Sequence, residues 1–585
     1  MLVLFAALGL GLLADIVTAR PALAHAELAS TTPAENARLA EAPSEVTLTF
    51  TEPVSLGSGH ARVINARGER VDTGDASSDG AVVEIPLSAG LPEASYVVSY
   101  RVVSADSHPI SGAYAFVVGD GELVPAGSVE AGEDTDPGVG AALPVARWVG
   151  FAGVALAIGV PVFLLTSWTG GWRDRRMRHL ATSGLLATAV GTLLTFLLQG
   201  SYTAGRDLGA VLDPGLISAT ASSAFGIALL FRFAFALLLG VVLALAWRRQ
   251  RAPSRPLVIA GALAAGGVVV TMAAVGHPVA GPWPPLAVAS TAVHVAAMAV
   301  WLGGLTALLC GVLRRGTATA DVATVLPRHS RVAFAAVGAL VVSGVVQSVR
   351  EVGTPTALFG TTYGRLLMAK LALVLLLLAA AGISRVWVQQ YLGVHRRSAR
   401  GRVTAHAFAA GTLDESGVEA AEARQELLAR TAQDEVPALR RSVLVEMLVA
   451  VAVLAVTAVL VGTPPARATV AEPVDVVLPL VGDQGSTVAG SLQVTVDPAA
   501  IGANTLHVYL FDESDQLTQP QGIRVTLTEA QQEIGPLQVE LLPGGPGHYI
   551  GDGMTIPSAG TWTLTVSVRL DEFTATTAST DFPVR

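Results

Sequence analysis

Apolar residues follow two contrasting rhythms along this 585-residue chain. The middle carries long apolar runs near 143–167, 180–203, 222–247, 256–275, 286–312, 331–350, 365–391 and 442–463. Each is about 20 residues or more, the length a helix needs to cross the hydrocarbon of a bilayer. The two ends read differently. Segments such as 45–50, 81–85 and 95–100 near the start, and 491–496, 505–510 and 561–568 near the end, are short and rich in β-branched or aromatic residues. Gly, Pro and Asp clusters separate them, which predicts strands joined by turns. About 115 residues with many such strands predict a sandwich at each end. The expected fold is a membrane protein, an eight-helix transmembrane bundle flanked by two extracytoplasmic β-sandwich domains.

Local signals divide the chain further. The stretch Leu2–Leu13 is short and apolar, and Ala22-Leu23-Ala24 has the form of a signal-peptidase site. The expected units are a signal peptide 1–24, a β domain 25–120, a linker 121–142, a transmembrane domain 143–463 and a second β domain 464–585. The linker is predicted to be flexible from its Gly, Asp, Glu and Pro. Residues 403–439, rich in Ala, Glu and Arg, are predicted to form an amphipathic helix.

Arginines orient the bundle. Arg173, Arg175, Arg176 and Arg178 follow the first run, Arg248, Arg249, Arg251 and Arg255 the third, and Arg314, Arg315, Arg328 and Arg331 the fifth. Eight more lie between the seventh and eighth. The alternate linkers hold few, with Arg206 and Arg350 as the main exceptions. Positive charge stays in the cytoplasm, so both ends are expected outside, at the plasma (inner) membrane.

Composition agrees with a membrane protein: 51% hydrophobic and 14% charged residues. The single cysteine, Cys310, excludes an intrachain disulfide or a thiolate cluster. Residues 25–141 hold 18 acids against 5 arginines, and residues 464–585 hold 14 against 4. Two acidic domains would draw cations toward the membrane. No Walker motif and no C-x-x-C-H occurs, so neither direct ATP coupling nor a c-type haem is expected.

The candidate chemistry is metal binding. Cleavage after Ala24 would free both the α-amine and the imidazole of His25. Asp106 and His108 are two apart, so on a strand they would share a face. Three nitrogens and one oxygen suit tetragonal Cu(II). His60 is read as a surface residue.

The runs His25-Ala26-Glu27-Leu28, Val46-Thr47-Leu48-Thr49-Phe50, Glu52-Pro53-Val54 and Tyr96 to Gly112 resemble the copper-binding domain CopC. That resemblance implies His25, Asp106 and His108 as Cu(II) ligands. Residues 25–141 contain no Met, so the Met-rich Cu(I) site of some members is not expected.

Within the bundle, His294 lies about eight residues, or about 12 Å, into the fifth run. Met298 is one turn on and shares its helix face. Imidazole with thioether suits copper, the thioether favouring Cu(I). Met272, His277 and Met368 lie near the same membrane face and are read with them as a copper path. Glu446, near the inner end, is read as bridging to Arg440 and Arg441 or as serving ion release.

The segments His294 to Leu305, Tyr363 to Leu371 and Leu439 to Glu446 resemble CopD, which implies copper uptake across an inner membrane. Gly545 to Tyr549 and Gly560 to Trp562 resemble the external β domain often fused behind CopD. The expectation is a non-enzymatic CopC–CopD fusion that binds Cu(II) outside and imports copper. The alternative is a tethered store or chaperone that delivers copper to another membrane protein. A His brace also serves copper oxygenases, but Asp106 in the metal plane argues against that. Expected partners are copper ions, membrane lipid and copper-accepting membrane proteins; nucleic acid is not one.

Overall fold

The computed structural model describes residues 28–33, 37–50, 52–120, 136–248, 252–280, 283–314, 319–355, 357–388, 415–469, 474–481, 488–512, 514, 516–529, 534–558, 560–570 and 575–584. His25 and the segment 1–24 lie outside the described residues, as does most of the predicted linker.

The N-terminal domain is built from two four-stranded sheets. One orders β1 (Leu28–Thr32), β3 (Glu45–Phe50), β6 (Val82–Pro86) and β5 (Ser77–Asp79). The other orders β2 (Arg38–Leu39), β8 (Pro109–Val118), β7 (Ala94–Ser104) and β4 (Val54–Asn65). Alternate residues of β3 (Val46, Leu48, Phe50) meet Tyr96, Val98, Tyr100 and Val102 of β7 in one core. This is the period of two that strands impose on their side chains.

The C-terminal domain repeats the principle with a core of its own. A five-stranded sheet orders β14 (Leu542–Gly545), β15 (His548–Ile556), β11 (Gly502–Phe511), β10 (Val488–Asp497) and β9 (Val474–Val481). A four-stranded sheet orders β13 (Ile534–Val539), β12 (Gly522–Glu529), β16 (Gly560–Arg569) and β17 (Ala575–Val584). Leu506, Val508 and Leu510 of β11 pack with Trp562, Leu564 and Val566 of β16, all almost fully buried.

Between the domains stand eight helices long and apolar enough to cross a membrane. We label them α1 (Pro137–Thr166), α2 (Arg175–Ala204), α3 (Ala224–Arg248), α4 (Arg255–Ala273), α5 (Pro284–Ala307), α6 (Thr319–Val352), α7 (Thr362–Val388) and α8 (Glu415–Leu460). Starts are set by local chemistry. Asp136 caps α1, its carboxylate accepting from the Val139 amide, and a proline opens the first turn. Asp174 caps α2. Of the helix expected over 403–439, residues 403–414 lie outside the described residues; from Glu415 the helix continues into the last span, so α8 is one helix of 46 residues.

Small residues let helices approach. A Cβ on Gly159 of α1 would sit 2.0 Å from the Ala299 carbonyl of α5, and a Cβ on Gly303 would sit 2.0 Å from the Ala155 carbonyl. The two glycines face each other where α1 and α5 cross. With no hydrophobic gain from leaving lipid, such close backbone packing is what holds spans together.

Candidate metal centre

The β7–β8 hairpin builds half of the centre. Ser107 has φ +72, the left-handed region that few non-glycine residues adopt, and folds the chain back on itself. The Ser107 amide donates to the Ser104 carbonyl at 2.9 Å, and the Ser104 amide to the His108 carbonyl at 3.0 Å. Asp106 and His108 thus converge across a tight turn rather than by alternation along a strand. Asp106 Oδ1 accepts from the Ser104 hydroxyl and, at 3.3 Å, from the His108 amide. Its Oδ2 lies 3.1 Å from His108 Nδ1.

The other half comes from the membrane part. His277, in the connection from α4 to α5, places Nε2 4.0 Å from Asp106 Oδ2. Its ring stacks on His108 with centres 5.2 Å apart and planes 21° from parallel. Asp106, His108 and His277 are exposed by only 1%, 7% and 8%. Among the described residues they form the one group of three or more His, Cys, Asp or Glu whose donor atoms lie within 4.8 Å of one another. Two aromatic rings close the sides edge-on, Tyr202 against His108 and Tyr363 against His277.

The surroundings clamp the two halves together. Arg101 of β7, 3% exposed, donates through Nε to the Thr203 carbonyl at 2.7 Å and through Nη2 to that of Tyr202 at 3.0 Å. These carbonyls end α2, where the helix dipole favours a cation. Gly205 then turns the chain at φ +65, and a Cβ there would press on the Arg101 guanidinium at 3.2 Å. Gln199 Nε2 donates to the Ser107 carbonyl at 3.0 Å. On the other side Arg350 of α6 donates to the carbonyls of His277 and Ala280 and pairs with Glu351.

A second buried carboxylate borders the cluster. Glu52 is 1% exposed, and among the described residues neither of its oxygens has a hydrogen-bond partner. Burial, and then the negative charge of Asp106, push its carboxyl up to about 7. Residue reading overlooked it as a site residue, although an acid between Phe50 and Val54 was a visible irregularity.

A buried carboxylate crowded by two imidazoles is costly unless a cation or protons compensate it. Imidazole and carboxylate donors suit Cu(II), and the donor spacing lets one ion touch all three residues. The candidate ligands therefore fit copper as cargo.

The remaining candidates lie elsewhere. His60 is half-buried on β4, not on the surface, with Nε2 3.4 Å from the Ser99 hydroxyl. His294 Nδ1 is 3.0 Å from Ser343 Oγ on α6. Ser343 sends its own proton to the Ala339 carbonyl at 2.6 Å. A His294 that donates from Nδ1 to this hydroxyl would keep Nε2 unprotonated and open to a metal. Met298 is half-buried against the main core, Met272 is buried in it and Met368 is half-buried on α7. Glu446 accepts from the Ser384 hydroxyl at 2.5 Å, and among the described residues it pairs with no arginine.

Fold and site together define a multi-pass membrane protein with a cluster of candidate metal ligands between a β domain and its helices. Known families match its parts: the CopC domain over 28–119, the copper resistance protein D-like N-terminal domain over 135–284, and copper resistance protein D over 323–413. A Bacillus subtilis (strain 168) protein named copper transport protein CutJ is 28% identical over 374 residues, 62% of this chain and 68% of the relative. Protein YobA of Escherichia coli (strain K12) is 36% identical over 98 residues, 16% of this chain and 79% of its own. Among solved structures, CopC from Methylosinus trichosporium OB3b is 26% identical over 17% of this chain and 98% of its own, with a TM-score of 0.16. PcoC, a methionine-rich copper resistance protein from Escherichia coli, is 28% identical over 16% and 100%, with a TM-score of 0.15. The chain belongs to the CopC–CopD copper-resistance family, with both parts in one polypeptide.

Proposed function

We propose that this protein captures copper outside the cell and passes it inward across the plasma membrane, without a catalytic step. Both β domains are then extracytoplasmic sandwiches, in keeping with the arginines that mark alternate linkers as cytoplasmic. The observation that carries the reading is the cluster of Asp106 and His108 with His277. A storage domain needs no ligand from the membrane part. A delivery domain does, because ligand exchange lets an ion move without meeting hydrocarbon as a bare charge. In this reading Asp106 and His108 hold Cu(II), with His25 as a further ligand if the chain is cleaved after Ala24. His277 accepts the ion, and His294 Nε2, with Met298 on the same helix face, offers the next donors.

Purified protein in liposomes given external copper tests this. Wild type should accumulate copper inside. His277→Ala should cut accumulation by about tenfold or more while leaving copper bound at Asp106 and His108. A wild-type protein that binds copper but accumulates none would make it a tethered store or chaperone.

A further inference from the structure

A cavity of about 240 Å³ opens at the end of the bundle remote from the β-domain cluster. Its position follows from α6. Glu351, beside the cluster, and His329, in the cavity wall, are about 22 residues apart on that helix, or about 33 Å. The wall is largely apolar, and its polar members are His329, Ser330, Ser384, Arg385 and Glu446.

Two of these are out of place in a structural core. His329 is 4% exposed, and among the described residues its Nε2 has no hydrogen-bond partner. Its ring is held edge-on by Phe163 at 5.3 Å, and it fits only because position 304 is glycine: a Cβ there would meet Cε1 at 2.6 Å. Glu446 is 2% exposed and is held by Ser384, whose hydroxyl also lies 3.0 Å from Ser442 Oγ. The one guanidinium in the wall is engaged by neighbours in the same wall. Arg385 donates to Ser330 and stacks over Phe334 at 4.1 Å. A buried polar side chain in a span without a partner marks a functional site more often than a packing solution.

We propose that His329 and Glu446 form a second cation station at this far end, taking a borderline divalent ion, copper as Cu(II). Imidazole and carboxylate are the donors such an ion prefers, and no thiolate lines the cavity. Ser384 orients the carboxylate as an outer-shell partner. The station's role as an exit point rests on the import reading, but its chemistry does not. Ser343, which holds His294, is about 14 residues or about 21 Å from His329 along α6, so the two can be disabled separately.

Full-length protein in lipid nanodiscs, with the other proposed copper ligands removed by His25→Ala, Asp106→Asn, His108→Ala, His277→Ala and His294→Ala, should still bind one Cu(II). Its electron paramagnetic resonance spectrum should show nitrogen coupling from imidazole. His329→Gln, which keeps a polar side chain of similar reach, should remove that signal. Glu446→Gln should weaken it by about tenfold. An intact β-domain cluster that still binds copper in the His329→Gln single variant would show that the chain folds. A copper signal unchanged by His329→Gln overturns the proposal. If wild type accumulates no copper in liposomes but the His329-dependent signal is present, the import reading fails and the station stands. Normal uptake and binding by His329→Gln would leave import standing and remove the station.

Discussion

His277 and His294 both belong to the membrane part, yet their surroundings differ in kind. His277 sits in a connection between spans and meets a carboxylate and a second imidazole from another domain. His294 sits inside a span and is held from one neighbouring helix, by the Ser343 hydroxyl and the Leu340 backbone. Around His277 the donors of three residues lie close enough to share one ion; around His294, among the described residues, one imidazole stands alone, held by its neighbouring helix. A path for an ion needs both kinds of place, a well-furnished site where it is taken from water and sparser ones from which it can leave.

The comparison breaks most readily at Asp106, the acid common to both histidines of the cluster. Asp106→Asn keeps the shape and removes the charge. Copper affinity at the cluster should fall by about 100-fold, measured by competition with a chelator of known strength. A fall of less than a few-fold would mean that the imidazoles bind without it. The second point is Ser343. Ser343→Ala removes the hydroxyl that holds His294 Nδ1 and frees the other tautomer. Uptake into liposomes should drop by about tenfold, with binding at the β-domain cluster unchanged. His294→Ala should lose uptake altogether, so equal behaviour of the two variants would show that the hydroxyl is as necessary as the ring. The third is Arg101→Gln, which loses charged hydrogen bonds worth about 1.5–3 kcal/mol each. The β domain should part from α2, and protease should then cut near the β7–β8 turn. Protection equal to wild type would show that Gln199 and the stacked histidines dock the domain unaided.

Much of this was legible in residue order, and the exceptions share a cause. The spans were legible because lipid demands long apolar runs, and the strand-rich ends because β pairing imposes a period of two. Asp106 and His108 stood out as a local pattern. His277 was visible as a candidate, but its meeting with Asp106 was not, because it depends on docking between segments more than 150 residues apart. His329 was hidden more subtly. Arg328 and Arg331 interrupt the apolar run, so the sixth span was placed from 331, whereas the apolar helix runs from Thr324. Those arginines lie three apart on one exposed face, while Val325, Leu326 and His329 lie buried. A period of 3.6 through 322–333 would have exposed that split, where a count of charges concealed it.

The smallest expected effect separates the candidate ligand His108 from the half-buried His60. His60 lies in the same domain as His108 and pairs across the sheet with Arg101. Burial, followed by the charges of Arg62, Arg101 and Arg70, lowers its pKa from 6.5 to about 4. The folded protein thus binds fewer protons at His60 than the unfolded chain does between those values. Its contribution to stability is intact above pH 6.5 and is lost as pH falls toward 4. His60→Gln removes the titration. The variant should lose less stability than wild type between pH 6.5 and pH 4, read as the change in melting temperature of the metal-free protein. Copper binding at pH 7 should be unchanged. Parallel melting curves over that range would show that His60 is protonated as readily folded as unfolded, and weaker copper binding would make it part of the site.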